Sequence, residues 1–272
     1  MARHGLTDRE WLRLAPLLPP RPRKGRPPKD HRTIVDALLW LGRTGAPWRD
    51  LPERFSPWRT VATLGSVAPE PPLDQGGAVG PPPRRAAPHH GRCRRHRLGR
   101  AHGGRHERAG APLRRRRKRG QHRQALGRSR GGFGSKLHLR CDRRGRPMVF
   151  VLTPGERHEQ TAFPELMTRG AVRRPAGRGR PKLRPRTVVG DRGYTGRPVR
   201  DHLRRHGVGA VIPQLKTEKT PRLMDWDLYR ERNVVERLVG KLKEYRRIAT
   251  RYDKLAASYL AFVQLAAIRI WL

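Results

Sequence analysis

Four residues in the last quarter of the chain have the types and spacing that chemistry on a phosphate needs. Tyr229, Arg232, Glu236 and Lys243 are separated by steps of 3, 4 and 7 residues. At roughly 100° per residue, those steps place all four on one stripe of a helix. One acid flanked by two cations and a phenol suits a metal ion held beside a nucleic-acid phosphate. The plain alternative is a solvated charged helix face. A second acid, Asp191, ends the short apolar run Thr187-Val-Val-Gly190, just before Arg192-Gly193-Tyr194. Ligand sites in open α/β sheets lie at that end of the strands. There the plain alternative is an acid that closes a turn. Mg²⁺ takes one or two carboxylates from protein together with phosphate and water. Two such ions about 4 Å apart activate a nucleophile and stabilise the leaving oxygen at phosphorus. Asp191 and Glu236 are therefore the candidate catalytic and metal-ligating residues, with Mg²⁺ (or Mn²⁺) as cofactor. Tyr229, Arg232, Lys243 and Arg192 are the candidate DNA-binding residues.

The charge of the chain favours the phosphate reading over the plain one. Lys and Arg number 63 against 22 Asp and Glu in 272 residues, a formal net charge of +41. A fold carrying that charge repels itself unless a polyanion neutralises it, and nucleic acid does so with release of counterions. The N-terminal Met-Ala-Arg-His-Gly-Leu-Thr-Asp is unlike a signal peptide. The apolar run from Leu255 to Leu272 holds Gln264 and Arg269, so it reads as a buried helix rather than a membrane span. Two cysteines, Cys93 and Cys141, support neither a disulfide framework nor a zinc site. A cytoplasmic, nucleoid-associated protein with no membrane contact is expected.

These residues need a scaffold, and the chain divides into three stretches. Residues 1–62 read as a small helical DNA-binding domain. Thr7 and Glu10 form a capping box ahead of Trp11, Leu14, Leu17 and Leu18. Asp30 caps a helix with Ile34, Leu38 and Leu41 on one face. Trp11, Trp40 and Trp48 are expected in the core. Between the two helices, Arg21 to Lys29 is a basic linker suited to phosphate. From 63 to 124 the chain is basic and of low complexity. No Phe, Trp, Tyr, Ile or Met occurs from Arg59 to Gly132, and no apolar period persists. This middle segment reads as irregular and disordered. Its His89, His90 and His122 have no ligand spacing, and Arg114 to Arg119 is a basic run. Order returns in 125–272. Gly134 to Cys141 and Met148 to Leu152 form a hairpin. Glu159 to Met167, Arg197 to His206, Tyr229 to Arg246 and Lys254 to Trp271 are expected helices. Thr187 to Gly190 and Gly209 to Ile212 are expected strands. The fold class is α/β, a mixed sheet flanked by helices.

A resemblance then becomes specific. Tyr229 to Lys243 fits the Tyr-x2-Arg-x3-Glu-x6-Lys signature of bacterial insertion-sequence transposases of the DDE type, the group usually numbered four/five. Val189-Gly-Asp191-Arg-Gly-Tyr194 resembles the surroundings of their second catalytic Asp. The segments 125–138 and 152–159 resemble their hairpin strands, with His158-Glu159 in the place of a polar pair. Leu6 to Trp11 through Gly45 to Pro52 resembles their N-terminal helical domain. The resemblance covers about 6–62 and 122–272. It implies an RNase H-like fold, Mg²⁺, double-stranded DNA at element ends and target sites as partner, and a homo-oligomer on DNA. It also implies that Asp191 and Glu236 are the second and third catalytic acids.

The first acid of that set belongs on the opening strand, in a context such as Val-Asp-x-Thr-Val, between about 63 and 120. The acids there are Glu70, Asp74 and Glu107, none in an apolar run. Cys93-Arg-Arg-His-Arg-Leu98 admits codons that read Val-Asp-Ala-Thr-Val when shifted by one base. The segment is therefore read as frame-shifted, and the catalytic domain is expected to lack its first strand. The expectation is an insertion-sequence transposase inactive for want of that Asp. The rival is a non-catalytic DNA-binding protein that occupies element ends and inhibits active transposase. A third possibility, a general basic coat for nucleic acid, does not explain an acid inside a basic stripe.

Overall fold

The computed structural model describes residues 5–19, 30–66, 95–102, 124–129, 132–170, 184–215, 217–218 and 223–272, with backbone alone for 64–66 and 95–102. The linker 21–29, Cys93, His89, His90, His122, the run 114–119 and the acids Glu70, Asp74 and Glu107 lie outside the described residues.

The N-terminal helices start where their caps direct. Helix α1 (Asp8–Leu14) opens on the capping box. The Glu10 amide donates to the Thr7 hydroxyl at 3.2 Å, and the Thr7 amide donates to the Glu10 carboxylate at 2.7 Å. Helix α2 (His31–Thr44) is capped by Asp30, which accepts from the Thr33 amide at 3.1 Å. It ends at Gly45, whose φ of 69° suits a residue without a Cβ. Helix α3 (Trp58–Ser66) follows. Leu14, Ile34, Ala37, Leu41 and Val61 share one apolar cluster with Leu137, Leu139, Val235, Leu238 and Val263. Trp11, Trp40 and Trp48 pack against that cluster, as expected. Residue 62 is thus no boundary of packing: the helical unit is one wall of a common core.

Strand β1 (Arg95–His102) falls within the stretch read from the sequence as irregular, of which 67–94 and 103–123 lie outside the described residues. β1 pairs antiparallel with β3 (Gly132–Asp142) and parallel with β5 (Thr187–Val189). The reason is that a ladder needs only backbone N–H and C=O groups. A slot with strands on both sides can therefore order a segment whose side chains carry no strand pattern.

Among the described residues, β2 (Gly127–Ser129) and β4 (Pro147–Pro154) both pair with β3, and β6 (Gly209–Val211) pairs parallel with β5. The order is β2-β3-β1-β5-β6, a mixed sheet. The β3–β4 turn closes on Asp142, which accepts from the Arg144 and Arg146 amides, each at 2.9 Å. Alternation along β3 splits its side chains between two layers. Leu137, Leu139 and Cys141 face the common core with α1 and α2. His138 and Arg140 point to the other side, where α4 (Phe163–Thr168) and α5 (Arg197–Arg205) cover Val149, Val151 and Val188. Arg140 is fully buried there. Its guanidinium donates to the carbonyls of Arg169 and Gly170 at 2.6 and 3.0 Å, and burial pulls its pKa down to about 10.

The expected long helix from Tyr229 to Arg246 is three pieces: α6 (Trp226–Arg230), α7 (Asn233–Lys243) and α8 (Arg246–Ala249). The last helix, α9 (Ala256–Trp271), packs against β4 and α2. No described helix is long and apolar enough to cross a membrane.

Candidate active site

Asp191 stands two residues past the end of β5 and caps a single 3-10 turn, Arg192–Tyr194, by accepting from the Gly193 amide at 3.0 Å. The far end of that turn is anchored. Tyr194 is wholly buried, and its hydroxyl lies 3.0 Å from His138 Nδ1 on β3. His138 Nε2 lies 2.8 Å from the Thr153 hydroxyl on β4. A neutral imidazole has one donor and one acceptor, so one hydroxyl donates to it and the other accepts from it. The acid-bearing turn is thereby tied to two strands that do not pair with β5. Arg192 is exposed beside it.

A second acid presses on the same turn. Glu159 is 6% exposed and accepts from Lys136 Nζ at 3.1 Å, while that ammonium also donates to the Arg157 carbonyl at 2.6 Å. A Cβ added at Gly193 would sit 3.0 Å from Glu159 Cγ and 3.1 Å from Asp191 Oδ1. A side chain there would have to push one of those two acids aside by a few tenths of an ångström. Glu159 is therefore no surface-turn residue, whereas His158 beside it is exposed. Lys136, His138 and Tyr194 were not singled out from the sequence. The available signal was a charged or polar residue at alternate positions of an otherwise apolar strand, Lys136 and His138 between Ser135 and Leu139.

Glu236 lies in the first turn of α7, on the face opposite buried Val235, Leu238 and Leu242. Its carboxylate is ion-paired with Arg232, at 56% side-chain exposure against 26% for the arginine. The Arg232 guanidinium sits 5.7 Å over the Tyr229 ring, a cation–π contact. The stripe survives the break between α6 and α7. At the junction the Arg232 amide donates to the Tyr229 carbonyl and the Val235 amide to the Arg232 carbonyl, both at 2.8 Å. Such i to i+3 bonds tighten the chain to three residues per turn, which stacks residues three apart. Lys243 is exposed in the last turn of α7, where a cation suits the helix dipole.

The elements that carry the two acids flank one strand. β5, which leads to Asp191, pairs with β1, and α7, which carries Glu236, packs against β1. The residues of β1 are Arg-His-Arg-Leu-Gly-Arg-Ala-His, none of them acidic. Among the described residues, no three His, Cys, Asp or Glu side chains are grouped so as to hold a metal ion. Glu236 is engaged by Arg232, and one oxygen of Asp191 by a backbone amide. The described residues therefore do not make up the oxygen donor set that a two-ion site requires.

Residues 6–64 match a family model described as "Putative transposase of IS4/5 family", and residues 101–271 match one described as "Transposase DDE domain". Neither match includes 65–100, the stretch that holds most of β1. The chain is 35% identical over 133 residues to "Putative transposase for insertion sequence element IS402" of Burkholderia cepacia, 48% of this chain and 60% of that protein. It is 33% identical over 143 residues to "Putative transposase for insertion sequence element IS6501" of Brucella ovis, 51% of this chain and 98% of that one. A third match is to "Uncharacterized protein y4sN" of Sinorhizobium fredii (strain NBRC 101917 / NGR234), 43% identical over 58 residues, 21% of this chain and 46% of that protein. The chain thus spans less than two thirds of the Burkholderia and Sinorhizobium relatives. It belongs to the DDE transposase family of insertion sequences.

Proposed function

We propose that the chain is an insertion-sequence transposase that binds double-stranded DNA at element ends but, as written, does not cut it. One observation carries this reading. Strand β5, which leads to Asp191, and helix α7, which carries Glu236, both adjoin β1, and β1 carries no acid. The order β4-β3-β1-β5-β6, with the first three strands antiparallel and the last two parallel to β1, supports an RNase H-like catalytic unit. Tyr229, Arg232, Lys243 and Arg192 hold backbone phosphates. Asp191 and Glu236 are the second and third acids, kept ready by the Tyr194–His138 anchor and by Arg232. With the first acid gone, no metal-dependent step is assigned to this polypeptide. The same absence favours a second reading, a non-catalytic occupant of element ends that competes with an active copy.

The test joins the gene to the protein. The gene should read Val-Asp-x-Thr-Val in an alternative frame near codons 93–98. The purified chain should bind duplex DNA, lose affinity steeply with salt, and give no cleavage with Mg²⁺ or Mn²⁺. A chain restored to the other frame should cut element ends, and Asp191→Asn or Glu236→Gln should abolish that activity. Cleavage by the chain as written overturns the inactive reading. A restored chain that neither binds nor cuts DNA overturns the transposase reading.

A further inference from the structure

Helix α5 carries Arg197, Arg200, Arg204 and Arg205 against a single acid, Asp201. It starts near the Asp191 turn and ends at the opposite edge of the sheet. The strand directions require this. β5 and β6 run parallel, Asp191 follows the end of β5, and α5 returns from there to the start of β6. At that far edge the Val208 amide donates to the Leu203 carbonyl at 2.9 Å, and the Gly209 amide to the Arg186 carbonyl at 2.8 Å. These bonds close the end of α5 against the residues that lead into β5. Arg184, Arg186, Arg204 and Arg205 are all exposed there. The edge is open to a large partner: a Cβ added at Gly207, just past the helix, would meet nothing within 4 Å.

Acids do not cancel this charge. Asp201 is shared by Arg197 at 3.5 Å and Arg204 at 2.9 Å. On α4, whose Phe163 meets His202 edge to face, Glu165 pairs with Arg169 at 3.0 Å. Residues 184–190 and 202–211 hold no acid. The field at His202 is positive although Asp201 is its neighbour in sequence. Burial holds the His202 pKa down first, and His206, Arg205 and Arg184 push the same way. Cations in the last turn of a helix also suit its dipole, which is the plain account of Arg204 and Arg205. It does not extend to Arg184 and Arg186, which lie on no helix.

We infer that Arg184, Arg186, Arg204 and Arg205 hold a second segment of duplex DNA, separate from the one along the Tyr229–Lys243 stripe. The inference rests on the DNA reading above and adds a second binding surface to it. The sheet stands between the two. α7 buries Val235, Leu238 and Leu242 in the core shared with α2, whereas α5 buries Val199 and Leu203 in the cluster on the other side. A straight duplex on one face does not reach the other, and duplex DNA is stiff over roughly 150 base pairs. Regularly spaced phosphates, one charge per about 1.7 Å of axis, match arginines borne by two neighbouring elements. A second copy of the chain would instead bring its own net charge of +41 against them.

The experiment mixes the full chain with two short duplexes of one sequence, the first immobilised and the second fluorescent, near physiological salt. The wild type should carry the fluorescent duplex onto the immobilised one, with two duplexes bound per chain at saturation. R204Q/R205Q and R184Q/R186Q alter different elements, so the test survives if one of them unfolds. Each should hold the first duplex with unchanged affinity and capture less of the second. For that second duplex, the slope of log affinity against log salt should fall by about 2, roughly 0.9 for each phosphate contact removed. One duplex per chain in the wild type, or variants that capture the second as well as the wild type does, overturn the second surface while leaving DNA binding intact. Folded variants that lose both duplexes equally place all these residues on one continuous site, and so also overturn it. A change in sedimentation of the DNA-free variants with unaltered capture assigns the arginines to a contact between copies, with the same result. Failure of the wild type to bind any duplex overturns the DNA reading and this surface with it.

Discussion

Arg247–Asp253 and Arg232–Glu236 are the same chemical pair in two surroundings. In the first, Arg247 Nε and Nη2 each donate to one Asp253 oxygen at 3.0 Å, and Nη1 donates to the Ala46 carbonyl at 3.0 Å. The guanidinium is covered by Trp48 and Phe262, and the two side chains are 5% and 8% exposed. That pair stitches the loop after α2 to the C-terminal helices. In the second, one arginine contacts a carboxylate left more than half exposed. A buried, fully bonded pair is part of the scaffold, since removing either partner strands a charge. An exposed pair is held loosely enough to exchange its arginine for another cation or release it to a phosphate. The contrast distinguishes the fixed layer of the molecule from the part suited to exchange.

Breaking the buried pair should therefore have the largest effect. Asp253→Ala should cost about 3–5 kcal/mol in denaturant unfolding; a loss below about 1 kcal/mol would remove the distinction between the two pairs. Next comes the pH response of the same layer. Burial, aided by Asp253 against the opposing charge of Arg251, raises the Tyr259 phenol to about 12, and its hydroxyl donates to the Ile248 carbonyl at 2.9 Å. Between the unfolded value of about 10 and that folded value, the native state holds the proton that the unfolded chain has released. Stability should fall by about 2–3 kcal/mol as pH rises through this window. Unfolding titrations of Tyr259→Phe should lack that slope, whatever its stability at neutral pH.

Smaller effects sharpen the other side. Thr7→Ala removes the cap of α1 and should cost about 1 kcal/mol in melting experiments. Burial opposes ionisation of Glu10 there, but the Thr7 hydrogen bonds and Arg269 outweigh it and hold its pKa down. The capping contribution should therefore be present above pH about 4.5 and disappear as acid protonates the carboxylate in the folded chain. Smallest of all, Glu236→Gln should shift stability by only about 0–1 kcal/mol. It should tighten DNA binding rather than weaken it, because a negative charge leaves the phosphate-facing stripe. Destabilisation comparable to Asp253→Ala would show Glu236 to be scaffold.

The cap of α1, the β3–β4 hairpin and the spacing of the stripe were legible because each depends on neighbours in sequence. The break between α6 and α7 was not. Its residues keep helical backbone angles, and Glu231 and Arg232 carry no proline or glycine to announce a stop. The acid pressed against Gly193 was half legible: His158-Glu159 stood out as a pair, but its burial depends on Lys136 from another strand. Nothing in the side chains of 95–102 resembles a strand, and β3 and β5 supply its hydrogen-bonding partners from 34 to 92 residues away.

By itself, the sequence determined the net charge, the helix starts, the Tyr-Arg-Glu-Lys spacing and the absence of an acid where the first strand runs. These are properties of composition and of residues a few positions apart. Only the tertiary structure decided that an unpatterned segment fills the slot between β3 and β5. The same holds for the N-terminal helices sharing a core with the last ones, and for the enclosure of Arg247 while Arg232 stays open. Those outcomes depend on which distant surfaces exclude water together, and no local spacing encodes that.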